Sequence, residues 1–268
     1  MILLSFVWDI QPQIFPDTVI PVRWYGLMFA FAFLLGYEVF KKLLKQDDAP
    51  KDWLDKALYF TMIGTIIGAR LGHVFFYDWA YYKNHLGEIL QIWHGGLASH
   101  GAAIGIIVAL YFYSKYVTKK NILWALDRVV VTVALGAGFI RLGNFFNSEI
   151  IGKKTGTDYG VVFARVDEFA RHPAQLYESV TYFLLFAFMY YAAFKLKWTN
   201  FKGRLFGLFL TVLFTARFFL EFLKENQSAF EDDMALNMGQ NLSIPLILVG
   251  LFFFIKSFKN NENVQQTA

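Results

Sequence analysis

Three arginines interrupt the apolar stretches of this 268-residue chain, where an ionisable side chain is energetically costly. They are Arg70, Arg141 and Arg217. A guanidinium presents a planar fork that binds phosphate through two hydrogen bonds, and it keeps its charge when partly desolvated. The three residues therefore predict an anion site, and a phosphate-bearing lipid headgroup is the anion that a membrane offers. For Arg70, an ion pair with Glu149 or Glu178 is the structural alternative.

Other polar side chains occur near the same ends of the apolar stretches. They are Tyr25, His100, Asn144, Glu149, Gln175, Glu178 and Glu221. The run from Arg141 to Glu149 alone combines a cation, two amides and a carboxylate where a helix would leave the membrane. If all these groups lie on one side of the bilayer, they predict a single buried polar pocket at the level of the outer lipid headgroups.

His100 is the candidate proton acceptor of this set. It lies in the glycine-rich stretch before the third apolar run, and imidazole ordinarily titrates near pH 6.5. A histidine in such a position also serves as a hydrogen-bonded packing residue. Both interpretations stay open at the level of the sequence.

Neither a metal nor a cofactor is expected. The chain has no cysteine, which excludes thiolate metal sites and a cysteine nucleophile of its own. Its five histidines lack metal-ligand spacing, since His94 and His100 do not share a helix face. The formal charge of +4 does not predict nucleic-acid binding, because apolar runs separate the basic residues.

The composition indicates what must position these residues. Hydrophobic residues make up 56% of the chain, above the roughly 45–50% of soluble domains. A membrane-spanning helix needs about 20 apolar residues, and it pairs its backbone groups internally. We therefore predict an all-α polytopic membrane protein of about seven transmembrane helices. The predicted spans are 21–40, 57–76, 95–114, 124–143, 174–194, 203–223 and 242–258.

Charge and small residues refine this prediction. Lysines and arginines cluster after the first, third, fifth and seventh spans, so the positive-inside rule places the N-terminus outside and the C-terminus in the cytoplasm. We predict one membrane domain over 1–258, with a small strand-containing outer cap at about 150–171, and a polar cytoplasmic tail at 259–268. Glycines spaced four apart, at 64, 68 and 72 and at 101 and 105, predict close helix packing.

The run from Arg141 to Glu149 resembles the signature G-R-x-G-N-F-x-N-x-E of the bacterial prolipoprotein diacylglyceryl transferases. Four further blocks agree in order and span nearly the whole chain. They are Trp24-Tyr25-Gly26, Ser99-His100-Gly101, Arg171-His172-Pro173-Ala174-Gln175-Leu176-Tyr177-Glu178, and Met238-Gly239-Gln240 followed by Leu242-Ser243-Ile244-Pro245.

The resemblance implies a multi-pass enzyme of the bacterial inner membrane with a periplasmic cap. It would transfer the diacylglyceryl group of phosphatidylglycerol to the thiol of the lipobox cysteine in a prolipoprotein signal peptide, forming a thioether and releasing glycerol 1-phosphate. The functional residues of the family correspond to Tyr25, His100, Arg141, Asn144, Glu149, Gly152, Arg217 and Glu221. Together with the residue chemistry above, this predicts His100, Arg141, Arg217 and Tyr25 as catalytic. Substrate binding is assigned to Arg70, Asn144, Glu149, Gly152, Glu221, Gln175 and Glu178.

Three positions depart from the pattern of the family. Ile140 stands where glycine usually precedes the arginine, Leu213 replaces a tyrosine, and Lys224 replaces an arginine. A lysine keeps the charge but loses the bidentate fork, which puts a headgroup role at position 224 in question.

Two rival functions fit part of the pattern. A transporter for an anionic solute would need polar residues that continue to the inner side, and the inner halves of the predicted spans are almost wholly apolar. A non-catalytic lipid-binding protein could have the same pocket but would show no turnover.

Overall fold

The computed structural model describes residues 5–15, 22–226, 231 and 234–265 of the chain. It is mostly helical, with one small sheet. The α-helices are α1 (Trp24–Gln46), α2 (Asp52–Phe76), α3 (Trp79–Tyr82), α4 (Ser99–Tyr113), α5 (Ile122–Asn147), α6 (Ala174–Phe194), α7 (Arg204–Leu220) and α8 (Met238–Gln265). The strands are β1 (Ser5–Trp8), β2 (Gly160–Phe163) and β3 (Ala170–Arg171). Shorter 3-10 or π turns occupy Leu86–Leu90, Ile92–His94, Ser114–Thr118, Trp198–Asn200 and Glu221–Leu223.

Five helical segments are long and apolar enough to cross a membrane. They are Asp52–Phe76, His100–Thr118, Ile122–Asn147, Arg204–Leu223 and Met238–Lys259. Large apolar side chains stay exposed along them, as Ile63 on α2 and Phe252 on α8 do, although exposure to water would disfavour such surfaces. Lipid is the solvent that suits these faces. Helices α1 and α6 have 23 and 21 residues but carry more polar groups, and the count of seven spans and the orientation stay predictions.

The observed helix bounds differ from the predicted spans mainly at the last helix. Helix α8 starts before the predicted span and runs on through Gln265, because a helix that the apolar part has nucleated gains one hydrogen bond for each residue it adds. Residue 21 of the first predicted span and residues 266–268 of the predicted tail lie outside the described residues.

The chain divides into two compact units, Met1–Leu43 with Asp127–Ala268, and Leu44–Leu126. In the second unit, α2 packs against α4 through glycines. A Cβ atom added at Gly68 would lie 2.7 Å from the Cα atom of Gly105 and closer still to the carbonyl oxygen of Gly101. A Cβ atom at Gly72 would lie 2.5 Å from the Cα atom of Gly101. The predicted close helix packing is confirmed, and it leaves no room for a methyl group.

Gly68→Ala is therefore expected to destabilise the protein by about 2 kcal/mol or more, since overpacking forces the two backbones apart. Thermal unfolding of the purified protein in detergent measures this effect. Gly87→Ala is the matched control in the same unit, because an added Cβ atom there meets nothing within 4 Å. Equal melting temperatures of the two variants would contradict the packing argument.

The core of the first unit lies between α1, α5, α6 and α7. Its fully buried members include Leu43, Val131, Met189 and Leu205. The N-terminus of α7 is fixed to α5 by the buried carboxylate of Asp127, which accepts hydrogen bonds from the backbone N–H groups of Gly203 (2.6 Å) and Phe206 (2.9 Å). These bonds satisfy donors that every helix N-terminus leaves unpaired. Helices α5 and α7, which carry two of the three arginines, are thereby held in register.

The small sheet has the strand order β1-β2-β3. Strands β2 and β3 pair antiparallel and lie in or at the edge of the segment 150–171, whereas β1 comes from the N-terminus and pairs parallel with β2. The side chain of Arg171 stabilises the position of β3 through ion pairs with Asp167 and Glu225. Its guanidinium lowers the pKa of the Asp167 carboxyl, so this ion pair persists well into the acidic range.

Candidate active site

The C-terminal end of α5 carries a chain of polar contacts. An Nη atom of Arg141 donates to Oδ1 of Asn144 at 3.1 Å. The Nδ2 atom of Asn144 donates to a carboxylate oxygen of Glu149 at 3.3 Å, and Asn147 donates to the other oxygen at 3.1 Å. The chain turns sharply after the helix, with positive φ at Ser148, and this turn brings Glu149 back towards Asn144. The spacing R-x-x-N-x-x-N-x-E therefore places the four side chains in one connected hydrogen-bond network.

One buried carboxylate, that of Glu178, holds the same arginine, and the ammonium group of Lys224 links it to a second carboxylate, that of Glu221. The Nε atom of Arg141 lies 2.8 Å from Oε2 of Glu178, a side chain with no exposed surface. The Nζ atom of Lys224 lies 3.6 Å from Oε1 of Glu178 and 2.8 Å from Oε2 of Glu221. The hydroxyl of Tyr182 donates to Oε1 of Glu178 at 3.2 Å. Alternating charges and a hydrogen bond compensate the desolvation of this network, which fixes the orientation of Arg141.

Arg217 differs from Arg141 in its partners. It lies in the last turn of α7 and is half-buried. Among the described residues it has no hydrogen bond and no ion pair. Its charge, like that of Arg141, acts electrostatically on the hydroxyl of Tyr182. Both guanidinium groups thus lie within electrostatic reach of one buried side chain. Since one Nη atom of Arg141 is also without a described partner, both arginines keep donors for a ligand.

Tyr25 reaches the same region from the start of α1. Its ring packs on Gly143, where an added Cβ atom would lie 2.8 Å from Cδ2 of the ring. The charges of Glu149 and Arg141 both act on its hydroxyl. The small residue at position 143 therefore lets the tyrosine approach the polar end of α5.

Gln175 and Gly152 support the surrounding backbone. The Nε2 atom of Gln175 donates to the carbonyl oxygen of Glu149 at 2.6 Å. The N–H of Gly152 donates to the carbonyl oxygen of His172 at 3.1 Å, and its own carbonyl accepts from Arg171 at 3.1 Å. A side chain at position 152 would collide with His172. Glycine is therefore needed at position 152, where two backbone segments approach closely. Together these contacts hold the segment after α5 in place.

The second unit carries the other two predicted site residues. Arg70 is buried, and its guanidinium lies 5.0 Å from the ring centroid of Tyr82. It donates to four backbone carbonyls, those of Glu88, Ile89, Gly95 and Gly96, at 2.6, 2.7, 2.7 and 3.4 Å. Arg70 thus holds the loop that leads into α4. His100 lies in the first turn of α4 with an exposed side chain.

Tyr182 is a member of the network that no motif singled out, and Lys224 was noted in the sequence only as a departure from the family pattern. The i, i+3 spacing of Glu221 and Lys224 on one helical turn is the signal that could have predicted their ion pair. A lysine suffices at position 224, because a single ammonium group bridges the two carboxylates. The other two departures pack as apolar residues, with Leu213 in the main core and Ile140 half-buried.

Comparisons with known proteins bear on the family of this chain. Residues 12–256 match the family described as prolipoprotein diacylglyceryl transferase. The chain is 47% identical over 255 residues to the phosphatidylglycerol–prolipoprotein diacylglyceryl transferase of Chloroherpeton thalassium, covering 95% of each chain. It is 44% identical to the enzyme of that name from Tolumonas auensis, covering 94% of this chain and 97% of the relative. The corresponding enzyme of Porphyromonas gingivalis is 41% identical, with 97% and 98% covered.

Proposed function

Because the chain belongs to the prolipoprotein diacylglyceryl transferase family, it transfers a diacylglyceryl group from phosphatidylglycerol to prolipoproteins, and we propose that Arg141 and Arg217 bind the lipid phosphate during this transfer. The observation that carries this proposal is the pair of guanidinium groups with free donors in the first unit. Glu178 holds Arg141 in a fixed orientation, and Arg217 has no described partner to give up.

The acceptor group in this proposal is the thiol of the lipobox cysteine in the signal peptide. The sulfur attacks the glycerol carbon that bears the phosphate, so a C–S bond forms and the C–O bond to phosphate breaks. The electron pair of that bond leaves on glycerol 1-phosphate, and the thiol proton passes to a base. Negative charge grows on the departing phosphate, and preorganised arginines in a partly desolvated site stabilise it more than water does.

The remaining site residues position these groups. Tyr25, Asn144 and Glu149 orient the headgroup and Arg141, while Lys224, itself paired with Glu221, holds Glu178 in place. Gln175 and Gly152 fix the backbone beside Glu149, and Arg70 fixes the loop before α4. A role for Arg70 in direct phosphate binding is not proposed, because backbone carbonyls take up its donors.

We assign the base to His100. A thiol has an ordinary pKa near 8.5, so most of it is protonated at neutral pH and a base raises the reactive fraction. The cationic pocket is the competing explanation, because positive charge lowers a thiol pKa without any proton acceptor.

The membrane arrangement of this proposal follows the sequence. Seven spans cross the bacterial inner membrane, with the N-terminus outside and the C-terminus in the cytoplasm. The sheet and the segment 150–171 then form a periplasmic cap, on the side where exported prolipoproteins arrive. The five long apolar helices support the multi-pass part of this arrangement.

A transfer assay tests the chemistry. The purified protein is mixed with phosphatidylglycerol and a lipobox peptide, and mass spectrometry looks for the diacylglyceryl mass on the peptide. A peptide with serine in place of the cysteine is the control. Release of glycerol 1-phosphate in step with the peptide product is expected, whereas free phosphate or phosphatidic acid would contradict the proposed bond cleavage.

A further inference from the structure

A polar cavity of about 440 Å³ adjoins the active site in the first unit. Its lining includes Gln11, Gln13, Arg23, Asn147, Glu149 and Arg165. Glu149 belongs to both places, because one of its oxygens accepts from Asn144 of the Arg141 network and the other from Asn147. The volume is in the range of ligand pockets, roughly 300–1,000 Å³.

Two buried atoms in this cavity wall have no hydrogen-bond partner within the part of the chain that the structure describes. They are Nε of Arg165, which is a donor, and Oδ1 of Asn147, which is an acceptor. Arg165 donates to the backbone carbonyl oxygen of Asn147 at 2.5 Å, and the side chain of Asn147 is held by its bond to Glu149. The cavity is lined by guanidinium, amide and carboxylate side chains, which supply both donors and acceptors, so a ligand with one acceptor and one donor fits this wall. A peptide group has that pair in its C=O and N–H.

An open strand edge leads to the same cavity. The carbonyl of Trp8 accepts from the N–H of Ala164, beside β2, at 3.1 Å. Because neighbouring residues of a strand direct their backbone groups to opposite edges, the N–H and C=O of Val7 face away from β2. No described strand pairs with that edge, and Gln11, three residues after the end of β1, lines the cavity.

Aromatic packing joins this strand to the active site. The ring of Trp8 lies 4.3 Å from that of Phe145 and 5.5 Å from that of Phe146, measured between centroids. Phe145 directly follows Asn144 on α5. A chain lying along β1 therefore passes beside the helix end that carries the predicted phosphate site.

We propose that the acceptor polypeptide binds in an extended conformation along the outer edge of β1, with its main chain continuing into this cavity. Strand addition supplies main-chain hydrogen bonds that do not depend on the side chains of the guest. The inference rests on the proposed function, because it takes the acceptor to be a polypeptide that reacts beside Arg141.

Val7→Pro tests this binding mode, since it removes an N–H that faces the open edge, near the middle of β1, and leaves the ladder to β2 intact. The KM for a lipobox peptide is expected to rise about five- to tenfold, as for the loss of one or two hydrogen bonds, while the KM for phosphatidylglycerol stays unchanged. Val7→Thr keeps the N–H and is the matched control, with an expected change of less than about twofold.

An unchanged peptide KM in Val7→Pro would overturn the proposal, and so would a rise in the KM for phosphatidylglycerol alone, which would assign the cavity to the lipid headgroup. Absence of transfer by the unsubstituted protein would instead refute the proposed function.

A cross-linking experiment keeps the proposal testable if Val7→Pro does not fold. The chain lacks cysteine, so Val7→Cys introduces a single thiol. The probe is a lipobox peptide with serine at the reacting position and one cysteine three residues away. A disulfide with Val7→Cys, and none with the exposed control Glu168→Cys, is expected. Equal cross-linking of both variants would refute strand addition.

Discussion

Replacing Arg217 with alanine is expected to lower kcat for diacylglyceryl transfer by about 100- to 1,000-fold while leaving the melting temperature unchanged. The loss follows from removing a preorganised donor from the charge that grows on the departing phosphate. Stability should stay the same because the structure gives Arg217 no described partner that would be left unpaired. The transfer assay and thermal unfolding in detergent measure the two quantities.

Two further variants sharpen this prediction. Arg217→Lys keeps the charge but loses the bidentate fork, so its kcat should lie between that of the unsubstituted protein and that of Arg217→Ala. Arg141→Ala should abolish transfer, and it also leaves the buried carboxylate of Glu178 without its closest cation, which costs about 3 kcal/mol. If Arg217→Ala unfolded the protein as strongly as Arg141→Ala, Arg217 would be a structural residue. Near-normal turnover in either alanine variant would refute the proposal that the two arginines bind the lipid phosphate.

His100→Gln is expected to slow transfer by about 100-fold or more at pH 7, as for loss of a general base. The deficit should shrink as the pH rises above about 8.5, because the acceptor thiol then ionises without help. The acidic limb of the pH profile should also flatten, since an imidazole base is lost by protonation in that range. Rates of the two forms between pH 5.5 and 9.5 provide the measurement.

His85→Gln is the matched control for this series, because His85 is exposed and lies in the same unit. A deficit that is the same at every pH would contradict the base assignment. A change confined to the KM for phosphatidylglycerol would make His100 a positioning residue, and the cationic pocket would then account for thiol activation.

The sequence alone predicted the membrane character and the cluster at the end of α5. Apolar stretches of about 20 residues have few stable alternatives to a helix in lipid, so composition and length are sufficient evidence. Arg141, Asn144 and Glu149 meet because their spacing is local, within one helix end and one turn. The glycines of α2 and α4 likewise predicted their packing, since only small residues allow backbones to approach so closely.

Contacts between residues far apart in sequence needed the tertiary structure. The pairing of β1 with β2 joins residues more than 150 positions apart, and a four-residue strand has too little pattern to reveal such a partner. Arg70 and Arg217 are both arginines in apolar helices, yet one is bonded to loop carbonyls and the other has no described partner. Residue type states what a side chain can bind. Only packing decides which groups reach it, because burial and donor satisfaction depend on neighbours that the fold brings together.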